Sequence, residues 1–318
     1  MNLIGLHHLT AVSSRIGENA RFYTGTMGMR LVKRSVNQDD VSAYHLFYAD
    51  AAGTPGTDLT FFDWRVPRER RGTHSIIRTA LRVRDEASLS WWKNHLAAAG
   101  TATSDVVSRG GRATLDFEDP EGQRLSLVVD GGLGDPSIPW DRSPVPSEHQ
   151  LRGLGPVTLS VPRLEPTEVV LTRVMGMTAV DRYDHPENSG GSVHIYQMGE
   201  GGPHAEVHVA VEPHLPPAAP GAGGVHHVAF RTPDPASQEE CLRILRGIGL
   251  PSSGVVDRYY FRSLYFREPN GLLFEIATDG PGFAVDEDPA TLGESLALPP
   301  FLEPRRKVIE DGLIPLEL

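Results

Sequence analysis

The chain repeats one pattern four times, and that repetition limits its possible folds more than any other feature. Each segment opens on an apolar strand, continues into a helical stretch that ends near a glycine, and finishes in further strands. The first reads LHHLTAVSS, GENARFYTGTMGM, AYHLFYAD and TDLTFFDW, and the second IIRTALRVRD, EASLSWWKNHLAAAG and RATLDFEDPEGQRLSLVVD. The third reads GPVTLSVPR, EPTEVVLTRVMGM, SVHIYQM and AEVHVAVEP, and the fourth VHHVAFRTPD, PASQEECLRILRGIG and RSLYFREPNGLLFEIATD. Trp91, Leu96 and Ala99, or Leu242, Leu245 and Ile248, recur at helical spacing. β-Branched and aromatic residues bounded by Gly and Pro mark the strands, and DPEG (119–122) and EPNG (268–271) mark tight turns. Each unit therefore reads βαβββ, which predicts an α+β protein of curved-sheet modules.

The units lie at 1–65, 72–130, 152–213 and 223–278. Residues 131–148, GGLGDPSIPWDRSPVPSE, form a Pro/Gly-rich linker, so the expected division is 1–145, 146–278 and an extension 279–318. The extension reads as a capping segment or short helix without chemistry. A length of 318 residues suits about two domains.

Composition narrows the function classes. A net charge of −11 argues against a nucleic-acid partner, and the basic cluster RVPRERR (65–71) reads as a solvated loop. No run of about 18 apolar residues spans a bilayer, and the N-terminus lacks the basic start and apolar core of a signal peptide. A lone cysteine, Cys241, excludes an intrachain disulfide; with no activating neighbour it reads as a structural residue in a reducing cytosol.

Two of the four units open on paired histidines, His7–His8 and His226–His227. Superposing the repeats places His8, Arg78, Pro156 and His227 in one slot. A second slot on the last strand holds Glu275, Ser126 and, approximately, Thr60; the spacings from His227 to Glu275 and from Arg78 to Ser126 are both 48 residues. If units one and four share a sheet, His8, His227 and Glu275 converge. Two histidines and one carboxylate with open positions opposite is the ligand set of non-haem Fe(II) oxygen chemistry. Tyr265 lies across the hairpin from Glu275, and Thr10 shares the face of His8. Arg258, seven residues before Tyr265, reaches the same pocket only through a bulge or loop. His45, His185, His204 and His208 have no comparable argument and are read as structural.

The four units, LHHLT, VHHVAF and NGLLFEIA resemble the vicinal oxygen chelate superfamily of glyoxalases, bleomycin resistance proteins and extradiol dioxygenases. Within it MGMRLVKRSVNQDD, YHLFYADAAGTPGTDLTFF and GFAVDEDPATLGESLALPP resemble hydroquinone ring-cleaving dioxygenases. The resemblance implies pairing of unit one with four and two with three. It also implies Fe(II) on His8, His227 and Glu275, with dioxygen and a small aromatic as reactants; Mn(II) suits the same donors. It further implies that Tyr265, Arg258, Thr10, His7 and His226 serve the reaction. For His7 and His226 this requires an irregular strand start, because regular geometry turns both away from the ligand face.

Two other activities fit the same fold. A glyoxalase-like lyase or isomerase would draw a fourth ligand from the slot of Thr60, a poor donor. Catechol-cleaving extradiol enzymes take all three ligands from the C-terminal half, where Pro156 occupies the required slot. Quinone- or drug-sequestering members commonly lack the ligands kept here. Oligomeric state is left open, a homo-oligomer included.

Overall fold

The computed structural model describes residues 1–316, and the four repeats are four βαβββ units. Unit one comprises β1 (Gly5–Ser13), α1 (Ile16–Arg21), β2 (Arg30–Val36), β3 (Tyr44–Ala49) and β4 (Asp58–Asp63). Unit two comprises β5 (Ser75–Val83), α2 (Glu86–Ala98), β6 (Val107–Arg109), β7 (Arg112–Glu118) and β8 (Arg124–Val129). Unit three comprises β9 (Leu154–Val161), α3 (Leu164–Val169), β10 (Thr178–Asp184), β11 (Ser192–Gln197) and β12 (Glu206–Val211). Unit four comprises β13 (Val225–Thr232), α4 (Pro235–Gly247), β14 (Ser252–Asp257), β15 (Arg262–Arg267) and β16 (Leu273–Thr278). A last helix, α5 (Arg306–Gly312), lies in the extension.

The units pair across the sequence. One eight-stranded sheet runs β14-β15-β16-β13-β1-β4-β3-β2 and joins unit four to unit one; the other runs β10-β11-β12-β9-β5-β8-β7-β6. The seam of each is an antiparallel pair of first strands, β1 with β13 and β5 with β9. β1 is buried along its whole length, so even its histidines are withdrawn from bulk water.

Helix chemistry groups the units differently. In units one and three the helix widens before the sequence MGM, where the Met27 N–H donates to the Phe22 carbonyl and the Met175 N–H to the Val170 carbonyl, both at 2.9 Å. In units two and four a regular helix starts at an aspartate cap: Asp85 accepts from the Ser88 N–H at 2.8 Å and Asp234 from the Ser237 N–H at 2.7 Å. The buried stripes keep Leu96 and Leu245 of the sequence expectation but not Ala99 or Ile248. They consist of Leu89, Trp92 and Leu96 in α2, and Gln238, Cys241 and Leu245 in α4, while Ile248 is exposed. Burial pushes the Cys241 thiol up to about 11, which keeps it unreactive.

Both tight turns begin with a buried acidic residue that joins the two sheets. Asp119 accepts from its own turn at Glu121 and Gln123 N–H and from the Tyr23 hydroxyl. Glu268 accepts from Leu272 N–H and the Thr167 hydroxyl. The extension folds back onto unit one, where the fully buried Lys33 ammonium donates to Asp286 at 2.7 Å and also to Glu287. No described helix is long and apolar enough to cross a membrane.

Candidate metal centre

Sheet register makes the slots equivalent in all four units. Thr10 faces Thr60, Ala80 faces Ser126, Thr158 faces His208 and Ala229 faces Glu275, each two residues beyond His8, Arg78, Pro156 or His227. His208, read as structural from the sequence, is thus the second-slot residue of unit three. The slots of units two and three carry ion pairs instead of a ligand set. Asp116 lies 3.2 Å from Arg78 and 2.7 Å from Arg109 and accepts from the Ser126 hydroxyl at 2.5 Å, while His208 sits 3.3 Å from Glu206.

In the sheet of units one and four, His8, Ala229, Glu275 and Tyr265 form one row across four strands, with His227 two residues before Ala229. His8 Nε2 is 3.2 Å and His227 Nε2 2.9 Å from Glu275 Oε2. His8, His227 and Glu275 are the one group of metal-ligating residues found to converge among the described residues. Glu275 Oε1 accepts from the Ser263 hydroxyl at 2.5 Å, whereas Oε2 has no hydrogen-bond donor and is fully buried. Burial alone would raise the Glu275 carboxyl, but the adjoining His8 and His227 rings hold it well below the usual range, as a carboxylate.

The neighbouring histidines decide which nitrogens face the carboxylate. His7 is the extra residue where the β1–β13 register slips between Leu6 and His8, and His226 is the extra residue opposite the step from Thr10 to Ala11. These paired bulges re-aim two side chains that a regular strand would send away. His7 Nδ1 meets His8 Nδ1 at 2.9 Å, and His226 Nδ1 meets His227 Nδ1 at 2.7 Å. His7 Nε2 lies 3.1 Å from the Thr278 carbonyl, an acceptor, so that nitrogen carries the proton. Burial, with His8 next, lowers His7 to about 3, so its ring is neutral and Nδ1 must accept. His8 therefore donates through Nδ1 and turns Nε2 towards Glu275. Burial and His227 lower His226 to about 3 in the same way. His8 Nε2, His227 Nε2 and Glu275 Oε2 thus converge within reach of one ion, a donor set that suits a divalent cation once both imidazoles are neutral.

A pocket of about 490 Å³ opens onto His8 and His227 and is walled by Phe47, Phe62, Phe261, Tyr260, Tyr265 and Arg258. Tyr265 is directly opposite Glu275, as its hairpin position predicts. Arg258 lies in the loop after β14, which supplies the break its odd spacing demands. Its Nε donates to the Tyr265 oxygen at 3.3 Å, and Asp39 grips its other nitrogens at 3.1 and 2.9 Å. Thr10 is buried and shares its hydroxyl with Thr60 at 2.8 Å, while Thr60 is 3.0 Å from His45 Nε2. His45, read as structural from the sequence, lines the pocket. His226 instead lines a larger cleft of about 790 Å³, which Trp64, His74 and Arg267 also border. His7 and His226 thus stand behind His8 and His227.

The sequence matches the glyoxalase/bleomycin resistance protein/dioxygenase superfamily over residues 5–127 and 153–276. The chain belongs to this superfamily. A Bacillus subtilis member named "Putative ring-cleaving dioxygenase MhqA" is 45% identical over 318 residues, 100% of both chains. The chlorohydroquinone/hydroquinone 1,2-dioxygenase of Sphingobium indicum is 31% identical over 94% of this chain and 92% of its own. The crystal structure of a Bacillus subtilis protein titled "putative dioxygenase" superposes with a TM-score of 0.90 at 34% identity, covering 99% of this chain and 98% of that one.

In this superfamily member the neutral histidines set a pH limit. His7 and His226 titrate near 3 when folded and near 6.5 when unfolded, so between those values only the unfolded chain binds their protons. Stability of the metal-free protein therefore falls as pH drops from 6.5 towards 3. Thermal unfolding should show Tm decreasing between pH 6.5 and 5, and a His7→Gln/His226→Gln protein should show a smaller decrease. An equal decrease would remove these two rings from the account.

Proposed function

We propose that this protein is a ring-cleaving dioxygenase that uses Fe(II), or Mn(II) in the same site, to open hydroquinone-type aromatics with dioxygen. The observation that carries the reading is the convergence of His8 Nε2, His227 Nε2 and Glu275 Oε2 at the floor of an aromatic-walled pocket. Three protein donors leave coordination positions free, and the bound metal would supply Lewis acidity towards an aromatic hydroxyl and electron transfer between ring and dioxygen. A fourth protein ligand, as a glyoxalase-like activity would use, has no support at Thr60, whose hydroxyl is engaged by Thr10 and His45. The names of the 45% and 31% identical relatives support the same chemistry.

The chain's own groups then bind, orient and move protons. Phe47, Phe62 and Phe261 hold a planar ring and exclude water. Tyr265 accepts from Arg258, so its own proton is free for a second partner. Burial, followed by the Glu275 charge, raises the Tyr265 phenol above its ordinary value, so it stays protonated at neutral pH and serves as a proton donor to substrate oxygen. Burial opposes the Arg258 charge, but Asp39 and Tyr265 more than offset it, leaving a fixed cation to stabilise negative charge on an oxygen. Under this proposal residues 1–145 and 146–278 each contribute one unit to the site, and the described part of the extension, 279–316, packs against unit one.

The test is anaerobic loading with Fe(II), followed by hydroquinones and catechols in an oxygen electrode. Hydroquinone-dependent oxygen uptake with loss of the aromatic spectrum is the expected outcome. No uptake with any of these phenols, while iron is bound by His8, His227 and Glu275, would sink the proposal.

A further inference from the structure

The loop that carries Arg258 and Phe261 has no regular structure of its own to hold it. It occupies residues 258–261 between β14 and β15, and its turn passes through Tyr259 at φ 70°, left-handed backbone that a tyrosine adopts only where its surroundings impose it. Two segments impose it. From the connection between β2 and β3, Gln38 donates to the Arg258 carbonyl at 2.8 Å and Asp39 accepts from the guanidinium at 3.1 and 2.9 Å. From the C-terminal extension, the Gly282 N–H donates to the Tyr260 carbonyl at 2.8 Å, and the Phe283 ring packs on Tyr260 at 5.6 Å and on Phe47 at 5.1 Å between centroids. Asp286 ties this second segment to the sheet: Oδ1 accepts from the buried Lys33 ammonium at 2.7 Å and Oδ2 from the Tyr260 hydroxyl at 3.0 Å. Lys33 Nζ also lies 4.7 Å from the centre of the Tyr260 ring. Glu287 holds Lys33 as well, but its other oxygen is buried without a partner and it makes no hydrogen bond to the loop among the described residues.

We infer that Asp286 is a positioning residue, which holds residues 258–261 against the aromatic pocket by joining Lys33 to Tyr260. Its effect on substrate rests on the proposed function above. The direction of both bonds is fixed by chemistry, because an ammonium and a phenol donate and a carboxylate accepts. What the bridge positions is one face of the pocket: Arg258, Tyr260 and Phe261 all line it, the Phe261 ring lies 5.0 Å from His8 and 5.2 Å from His7, and Arg258 Nε donates to the Tyr265 oxygen. His8, His227 and Glu275 stand on β1, β13 and β16, and Asp286 makes no hydrogen bond to any of them, so pocket shape and metal retention are separable. A planar ring is held in place by its walls, so a displaced wall weakens the aromatic ligand more than the ion.

Asp286→Asn and Glu287→Gln, each in the Fe(II)-loaded full chain, test this, because both take one negative charge from Lys33 and only the first cuts the link to Tyr260. Hydrogen exchange reads the loop directly: the Arg258, Tyr260 and Gly282 amides should exchange about 10-fold faster in Asp286→Asn and at the wild-type rate in Glu287→Gln. Oxygen uptake reads the consequence. Hydroquinone KM should rise about 10-fold in Asp286→Asn, the scale of one charge-assisted hydrogen bond, with kcat and iron content kept. In Glu287→Gln it should stay at the wild-type value although Tm falls. Tyr260→Phe cuts the same link from the other side, should add nothing to Asp286→Asn when combined with it, and decides the matter if Asp286→Asn fails to fold. Wild-type exchange of the loop in Asp286→Asn, or an equal KM change in the two acidic variants, overturns the role of Asp286. No oxygen uptake by wild type with any hydroquinone overturns the proposed function, and the exchange comparison still decides whether Asp286 holds the loop.

Discussion

Glu275→Gln protein is expected to fold with both sheets intact and to lose its metal. The substitution keeps size and the Ser263 contact but removes the charge that faces two imidazole nitrogens. Losing a partner that merely orients a ligand costs about 10- to 100-fold in metal affinity, so losing the anionic donor itself should cost more than about 100-fold. Competition with a chromogenic chelator reads this directly, and circular dichroism checks the fold. Oxygen uptake should vanish with the metal and return only in part at high Fe(II). A Glu275→Gln protein that holds iron like wild type would remove the carboxylate from the site.

Tyr265→Phe should separate metal binding from turnover. The ring still packs beside His227, at 5.9 Å between centroids, and no metal-facing atom changes. What disappears is the proton that a raised phenol keeps at neutral pH. General acid–base groups contribute about 100- to 10,000-fold, so kcat should fall within that range at unchanged iron content and nearly unchanged hydroquinone affinity. Single-turnover reaction with dioxygen would assign the slow step to chemistry. Wild-type kcat would exclude Tyr265 as the acid.

The repeat made much of this legible in the sequence. Periodicity and turn chemistry identified four βαβββ units, and their superposition alone put His8, His227 and Glu275 in corresponding slots that sheet register reproduces. Tyr265 followed from hairpin pairing. The misses have physical causes. Alternation alone turns His7 and His226 away, because a bulge adds one residue without a sequence mark on the partner; the irregular strand starts that the resemblance required are present as register shifts at both residues. His45 sits on a wall that belongs to the site only because the sheet curves, and no spacing within one unit encodes curvature. The helix stripes were right at Leu96 and Leu245 and wrong at Ala99 and Ile248, which satisfy helical spacing but are exposed, while the buried faces also run through Trp92 and Cys241. The paired LHHLT and VHHVAF signals and the last-strand slot nevertheless named the three residues that converge.

The pairing of the first unit with the fourth also sets the order of events in making the protein. His8 and Glu275 stand 267 residues apart in the chain yet share one metal-sized space. During translation, the growing polypeptide offers one histidine pair until about seven-tenths of its length has emerged and lacks Glu275 until nearly nine-tenths, and units two and three can close on each other before that. Under the proposed function, metal acquisition is therefore a terminal step, and a bound ion would certify that the most distant contacts of the chain have formed. A nascent chain arrested before residue 275 should carry a folded middle and no specific iron.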